Sequence, residues 1–219
     1  MSPRQKPAPA IVLGSAYILG AIPFSNIVAQ VTRGVDLREV GTGTVSGSGL
    51  FYEAGLKPLL VGGVLDVAKG TVGPLLAGRD RPDLAALAGG VGVVGHNWSI
   101  FLKGAGGRGI SPSLGAMTVN GWQGSLILLG GLALGRTARL TSIGALASYV
   151  ALVPAMKAVH GRRGTIAAAA VVAPMLIKRV TGNRPIPDGN PLRTAVTRLI
   201  FDQDGIPSLT WEARRPGVD

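Results

Sequence analysis

Three short stretches gather glycines, hydroxyls and cations. The first is Gly41-Thr42-Gly43-Thr44-Val45-Ser46-Gly47-Ser48-Gly49. The second begins at Gly95-His96-Asn97-Trp98-Ser99 and ends in Gly104-Ala105-Gly106-Gly107-Arg108-Gly109. The third is Arg136-Thr137-Ala138-Arg139-Leu140-Thr141-Ser142. Glycine-rich backbone lets successive N–H groups converge on one oxyanion, and a helix N-terminus that follows adds its dipole. Arg108 and Arg136 supply forked donors of fixed charge. The ligand this chemistry suits is a phosphate or an acyl phosphate.

The surrounding residues narrow the chemistry. Between Asp83 and Asp188 there is no carboxylate, yet ten Lys and Arg occur. A two-carboxylate hydrolase or a carboxylate-caged metal cannot be assembled there. The chain has no cysteine, which excludes disulfides, thiolate metal sites and cysteine nucleophiles. No metal and no cofactor is expected. Gly104-x-Gly106-x-x-Gly109 fits the dinucleotide fingerprint letter by letter, but it follows an apolar run and lacks an acid about 20 residues on.

Each candidate residue has a functional and a plain reading. His96, one of two histidines, either handles a proton or contacts substrate, or is a satisfied structural group. Asp66 and Lys69, three apart on one helical face inside an apolar run, form a packing pair or a site wall. Arg108 is a phosphate ligand or a snorkelling surface cation. Arg136 and Ser142 divide evenly between site and surface. Ser46 and Ser48 are site hydroxyls or helix caps.

These residues must be positioned by apolar segments. Hydrophobic residues make up 47% and charged residues 15%, against about 25% charged in an average soluble domain. Uncharged or nearly uncharged runs cover residues 10–31 (with a kink expected at Pro23), 56–77, 84–102, 140–156 and 165–177. Residues 110–135 are either one tilted helix or two segments broken at Asn120-Gly121. The fold class is therefore all-α: a polytopic integral membrane helix bundle of about seven segments with glycine-rich cytoplasmic loops. Residues 1–180 form the helical domain, and 181–219 a polar, proline-bearing cytoplasmic tail with little periodicity.

The net charge of +11 comes from 22 Lys and Arg against 11 Asp and Glu. The cations are scattered singly or in pairs, so anionic lipid head groups or an anionic substrate fit better than nucleic acid. With two segments in 110–135, the three glycine-bearing stretches and the tail share one face. That face carries ten cations near the spans against seven opposite, which assigns it to the cytoplasm.

Four blocks in the order and spacing of one family span residues 20–143: Gly20-Ala21-Ile22-Pro23-Phe24-Ser25 with Asp36 to Gly43; Leu65-Asp66-Val67-Ala68-Lys69-Gly70; Gly95-His96 to Phe101 with Gly106-Gly107-Arg108-Gly109 and Ser113-Leu114-Gly115; and Arg136 to Ile143. On these the chain resembles the bacterial acyl-phosphate-dependent glycerol-3-phosphate acyltransferases. The resemblance implies seven membrane segments in the bacterial inner (plasma) membrane and acyl transfer from acyl phosphate to the 1-hydroxyl of glycerol 3-phosphate. It implies no metal and no CoA. It places the glycerol-phosphate site on His96, Gly106, Gly107, Arg108 and Gly109, with Thr42, Gly43, Ser46, Ser48, Asp66 and Arg136 also in the binding set. His96, Lys69 and Ser142 form the catalytic set. Thr44 and Gly49 stand where the family has asparagines, Tyr52 replaces an arginine, Ala105 a lysine, and a C-terminal glutamate is absent. Those departures keep other readings open: a catalytically silent paralogue acting as a lipid-binding or complex subunit, an acyltransferase for another acceptor, or an anion transporter.

Overall fold

The computed structural model describes residues 6–186 and 190–202. Among these there are helices and no strand: α1 Pro9–Ala21, α2 Phe24–Arg33, α3 Gly47–Ala54, α4 Leu56–Ala77, α5 Pro82–Asn97, a 3-10 turn Ile100–Leu102, α6 Ile110–Thr137, α7 Thr141–Thr181 and α8 Pro191–Phe201. Four stretches are long and apolar enough to cross a bilayer: Pro9–Arg33, Leu56–Ala77, Pro82–Leu102 and Thr141–Thr181. The chain has the architecture of a multi-pass membrane protein.

Each break in the helices has a local cause. Pro23 lacks an N–H and interrupts the first span between α1 and α2. In α6 the helix is broken at Gly121 (φ 166°, ψ 95°), which decides for two segments between the two readings left open for residues 110–135. The runs at 140–156 and 165–177 are the two helices within α7, which meet at Gly161 (φ 58°, ψ −138°), a left-handed φ that glycine adopts without a Cβ penalty. The loop expected over 33–53 contains α3, because the Ser46 hydroxyl accepts the Gly49 N–H and caps it.

Packing relies on small residues and on methionine. A Cβ at Gly70 would meet the Pro112 carbonyl, and one at Gly115 the Val67 carbonyl, so α4 and α6 approach backbone to backbone. The largest buried cluster, with Met117, Leu128, Leu152, Met156 and Met175, joins α6 and α7 around Val93 of α5. Leu60, Val64, Leu134 and Val150 face outward, as they would toward lipid.

The two ends of the bundle differ. At one, Lys6 pairs with Asp80, Arg81 donates to the Pro7 carbonyl (2.7 Å), and Arg162 meets Asp83 (3.1 Å). At the other lie the glycine-bearing loops and the segment after α7. That segment, expected to show little periodicity, contains α8 among its described residues, begun by the Asn190 side chain accepting from Arg193 N–H with Pro191 in the first turn.

Candidate active site

A buried polar cluster forms where α2, α4 and α5 meet. Asp66, 2% exposed, accepts from Ser25 Oγ (2.5 Å) and pairs with Lys69 Nζ at 2.7 Å. The break at Pro23 leaves the Ile22 carbonyl available, and Lys69 donates to it at 2.6 Å while lying over the Phe24 ring. His96 Nδ1 stands 3.9 Å from Asp66 Oδ1. Lys69 is thus a compensated charge, held by one carboxylate and one carbonyl, and not a bare cation.

The first two glycine stretches close over this cluster. Val45 N–H donates to the Gly106 carbonyl (3.1 Å), and Gly107 N–H donates to the His96 carbonyl (3.2 Å). Gly107 lies so close to the His96 imidazole that a Cβ there would fall on Nε2. Gly109, at φ +81°, turns the chain into α6, whose N-terminus directly follows Arg108. Thr42 Oγ1 donates to Thr44 Oγ1 (3.0 Å), and Ser48 is exposed in the first turn of α3.

A residue from the far end of the chain ties these loops together. Asn183 Nδ2 donates to the carbonyls of Gly43 (2.9 Å) and Gly106 (2.8 Å), and its Oδ1 accepts the Gly106 N–H (3.3 Å). Both ends of the amide are used, so its orientation is specified.

Arg108 sits beside this staple. Its NH1 donates to the Lys178 carbonyl (2.9 Å) and its Nε is 2.7 Å from Asp202 Oδ1, an ion pair not aligned as a hydrogen bond. Burial pushes the Asp202 carboxyl above its ordinary value, while Arg108 and Arg179 pull the other way. Lys178, itself buried, donates to the Gly104 carbonyl and lies over the Trp98 ring. The half of the sequence without carboxylates therefore receives its counter-charge here from the tail.

The third stretch borders the same end. Arg136 stacks over Phe51 of α3, 5.4 Å from the ring centroid, and is exposed. The Ser142 carbonyl accepts from Arg179, whose guanidinium also donates to the carbonyls of Arg198 and Ile200 in α8. On the outer side of α4 an apolar groove of about 470 Å³ runs past Leu59, Leu60, Val64 and Val67 to Ser111 in the first turn of α6.

The structure thus brings Asp66, Lys69, His96, Gly43, Gly106, Gly107, Arg108 and Gly109 together. Ser46 serves as a cap, and Thr42, Ser48, Arg136 and Ser142 lie at the rim. Asn183, Lys178 and Asp202 were not in the sequence-derived set. Among the described residues no cluster of His, Asp and Glu suited to a metal ion forms.

The family described as "Glycerol-3-phosphate acyltransferase" matches residues 10–184. Glycerol-3-phosphate acyltransferase 4 of Dehalococcoides mccartyi (strain CBDB1) is 39% identical over 121 residues, 54% of this chain and 52% of that one. A glycerol-3-phosphate acyltransferase of Thermoanaerobacter sp. (strain X514) is 33% identical over 140 residues, 63% of this chain and 71% of that one. The chain spans about half the length of the first of these relatives. The crystal structure of PlsY (YgiH), an integral membrane glycerol 3-phosphate acyltransferase, in its glycerol 3-phosphate form superposes with a TM-score of 0.74 at 22% identity. The match covers 94% of this chain and 98% of that one, and the likeness is one of fold.

Proposed function

The chain belongs to the glycerol-3-phosphate acyltransferase family, and from that premise we propose that it moves a fatty acyl group from acyl phosphate to the 1-hydroxyl of glycerol 3-phosphate. The products are lysophosphatidic acid and inorganic phosphate, and the setting is the bacterial inner membrane. The observation that carries this reading is the convergence of Gly43, Gly106–Gly109 and Arg108 at the N-terminus of α6, one helical turn from the Ser111 end of an apolar groove. Charge-binding and acyl-binding surfaces meet there.

In this reading the glycerol-phosphate group is bound by the α6 N-terminus and the Arg108 guanidinium, while Gly106 and Gly107, whose N–H groups serve Asn183 and the His96 carbonyl, shape the loop around it. Arg136 and Lys178 add positive potential for the donor phosphate, and the groove along α4 takes the acyl chain. The acceptor hydroxyl attacks the acyl carbonyl carbon. A new ester C–O bond forms, the C–O bond to phosphate breaks, and phosphate leaves with the electron pair. The hydroxyl proton passes to His96 or to a phosphate oxygen. No serine–histidine–carboxylate triad exists among the described residues, so transfer is direct, and positioning plus electrostatic stabilisation lower the barrier. Asp66 holds Lys69 and, through it, the shape of the floor beneath His96. No cofactor is required.

One observation favours a second reading. Lys69 is neutralised by Asp66 and Arg108 by Asp202, which suits a silent lipid-binding subunit or a site for another acceptor. Purified protein in lipid nanodiscs, given palmitoyl phosphate and radiolabelled glycerol 3-phosphate, with palmitoyl-CoA as parallel donor, separates the two. Labelled lysophosphatidic acid from acyl phosphate alone supports the acyltransferase; no product beside an active relative supports the second reading.

A further inference from the structure

The last helix among the described residues, α8, has its polarity reversed. The face turned to α7 is polar: Thr194, Thr197 and Arg198 are all buried. Their needs are met inside the protein. Thr197 donates its hydroxyl to the Arg193 carbonyl (3.1 Å), and Arg198 donates to the carbonyls of Thr181 and Arg184 at 2.5 and 2.9 Å. The outward face is apolar, with Leu192 74% and Val196 46% exposed one turn apart. A helix lying on a water-soluble body shows the opposite arrangement.

Two further observations say what lies outside. The Arg179 guanidinium joins the Ser142 carbonyl at the start of α7 to the Arg198 and Ile200 carbonyls of α8. The C-terminal end of α8 therefore adjoins the start of α7, beside the exposed Leu140 and Ile143, so α8 lies against an apolar part of the bundle's outer surface. Residues 190–201 also carry Arg193 and Arg198 and no acid, with Arg193 exposed beside Leu192. Such a face matches a bilayer interface, in which apolar side chains enter the acyl boundary and an arginine reaches anionic head groups.

We propose that α8 is an interfacial membrane helix, seated with Leu192 and Val196 in an anionic lipid surface, and not part of a solvated tail. The inference rests on the membrane-bundle fold and is independent of which reaction the site performs. It also gives the segment after α7 a task, since Asn183 and Asp202 flank α8 and both touch the glycine loops. A lipid-seated α8 holds those two contacts in place.

The absence of cysteine allows a direct test. Nitroxide labels are placed on L192C, R193C and V196C of the full chain in nanodiscs containing anionic lipid, with V150C on the outer face of α7 and E39C in the exposed first loop as references. Collisions with oxygen and with a water-soluble nickel chelate are then compared. Labels at 192 and 196 are expected to favour oxygen several-fold over nickel, as at 150, while the label at 193 favours nickel, as at 39. Nickel-favoured collisions at 196 would put α8 in water and overturn the proposal. A label at 196 shielded from both probes, or showing dipolar broadening between copies, would identify a protein neighbour and overturn it equally.

Discussion

The substitution N183D probes the staple between the two glycine loops with a change of a single atom type. In the native protein the amide nitrogen serves the Gly43 and Gly106 carbonyls, and the amide oxygen serves the Gly106 N–H. A carboxylate keeps the last contact and turns an acceptor toward two other acceptors. Gly106 retains the Val45 N–H as a donor, whereas the Asn183 bond to Gly43 is lost outright. Two hydrogen bonds at about 1 kcal/mol each, with a further contribution from carboxylate–carbonyl repulsion, give a cost of about 2–3 kcal/mol. If that cost falls on forming the closed loops, kcat/KM for glycerol 3-phosphate falls roughly 30- to 150-fold. N183A removes all three bonds without the repulsion, about 3 kcal/mol at the same rate per bond, so its loss is of similar size. Initial rates at varied glycerol 3-phosphate and saturating acyl phosphate measure this, alongside thermal unfolding of the same samples. The midpoint is expected to move little, because no helix–helix apolar contact changes. An N183D or N183A enzyme within threefold of wild type would refute the assignment of the amide.

Other changes follow from the same geometry. G107A places a methyl group on His96 Nε2, so acyl transfer should drop by more than tenfold while the bundle still folds, as read by kinetics and circular dichroism. D66A leaves Lys69 buried without its carboxylate and should cost about 3–5 kcal/mol of stability, seen as a lower melting midpoint in nanodiscs; G115A, pressing on the Val67 carbonyl, should cost about 1–3 kcal/mol in the same assay. The Arg38 guanidinium beside Asp36 holds that carboxyl below the usual range. Its stabilising share is present above an ordinary aspartate pKa of about 3.9 and is lost as pH falls through the native value, so amide exchange at residues 36–39 should accelerate only in that acid range. The Asp202 carboxyl is raised by burial, so its contribution is full below the ordinary value and is lost as pH rises through the native one. Relative to D202N, wild type should lose stability on going from acid to neutral pH in melts across that interval.

Much of the bundle was legible because apolar runs of span length admit few other folds. The α1–α2 break was readable from Pro23, and Asn120-Gly121 marked where α6 would break if it did, without deciding that it would. The break at Gly161 was readable as the polar gap, His160 to Arg163, that separates the runs at 140–156 and 165–177. Ser46 could be weighed as a cap, but α3 itself was hidden in a glycine-rich stretch whose composition disfavours helix. The α8 segment defeated pattern reading for a physical reason: its buried side is threonine and arginine, the reverse of the periodicity sought in a polar tail. Asn183, Lys178 and Asp202 act on loops 70 or more residues away, and contacts at that separation leave no local spacing to find. Asp66 and Lys69 drew notice because ionisable groups inside apolar runs are rare, and His96 because of its place in the glycine-bearing loop.

Equilibrium binding of radiolabelled glycerol 3-phosphate to the wild-type chain and to R108A in nanodiscs, without acyl donor, tests most directly the claim that the glycine loops and Arg108 form the phosphate site. A charge-assisted contact contributes about 1.5–3 kcal/mol, so R108A should bind roughly 10- to 150-fold more weakly. Equal affinity in the two proteins, or no saturable binding to wild type, would contradict the account.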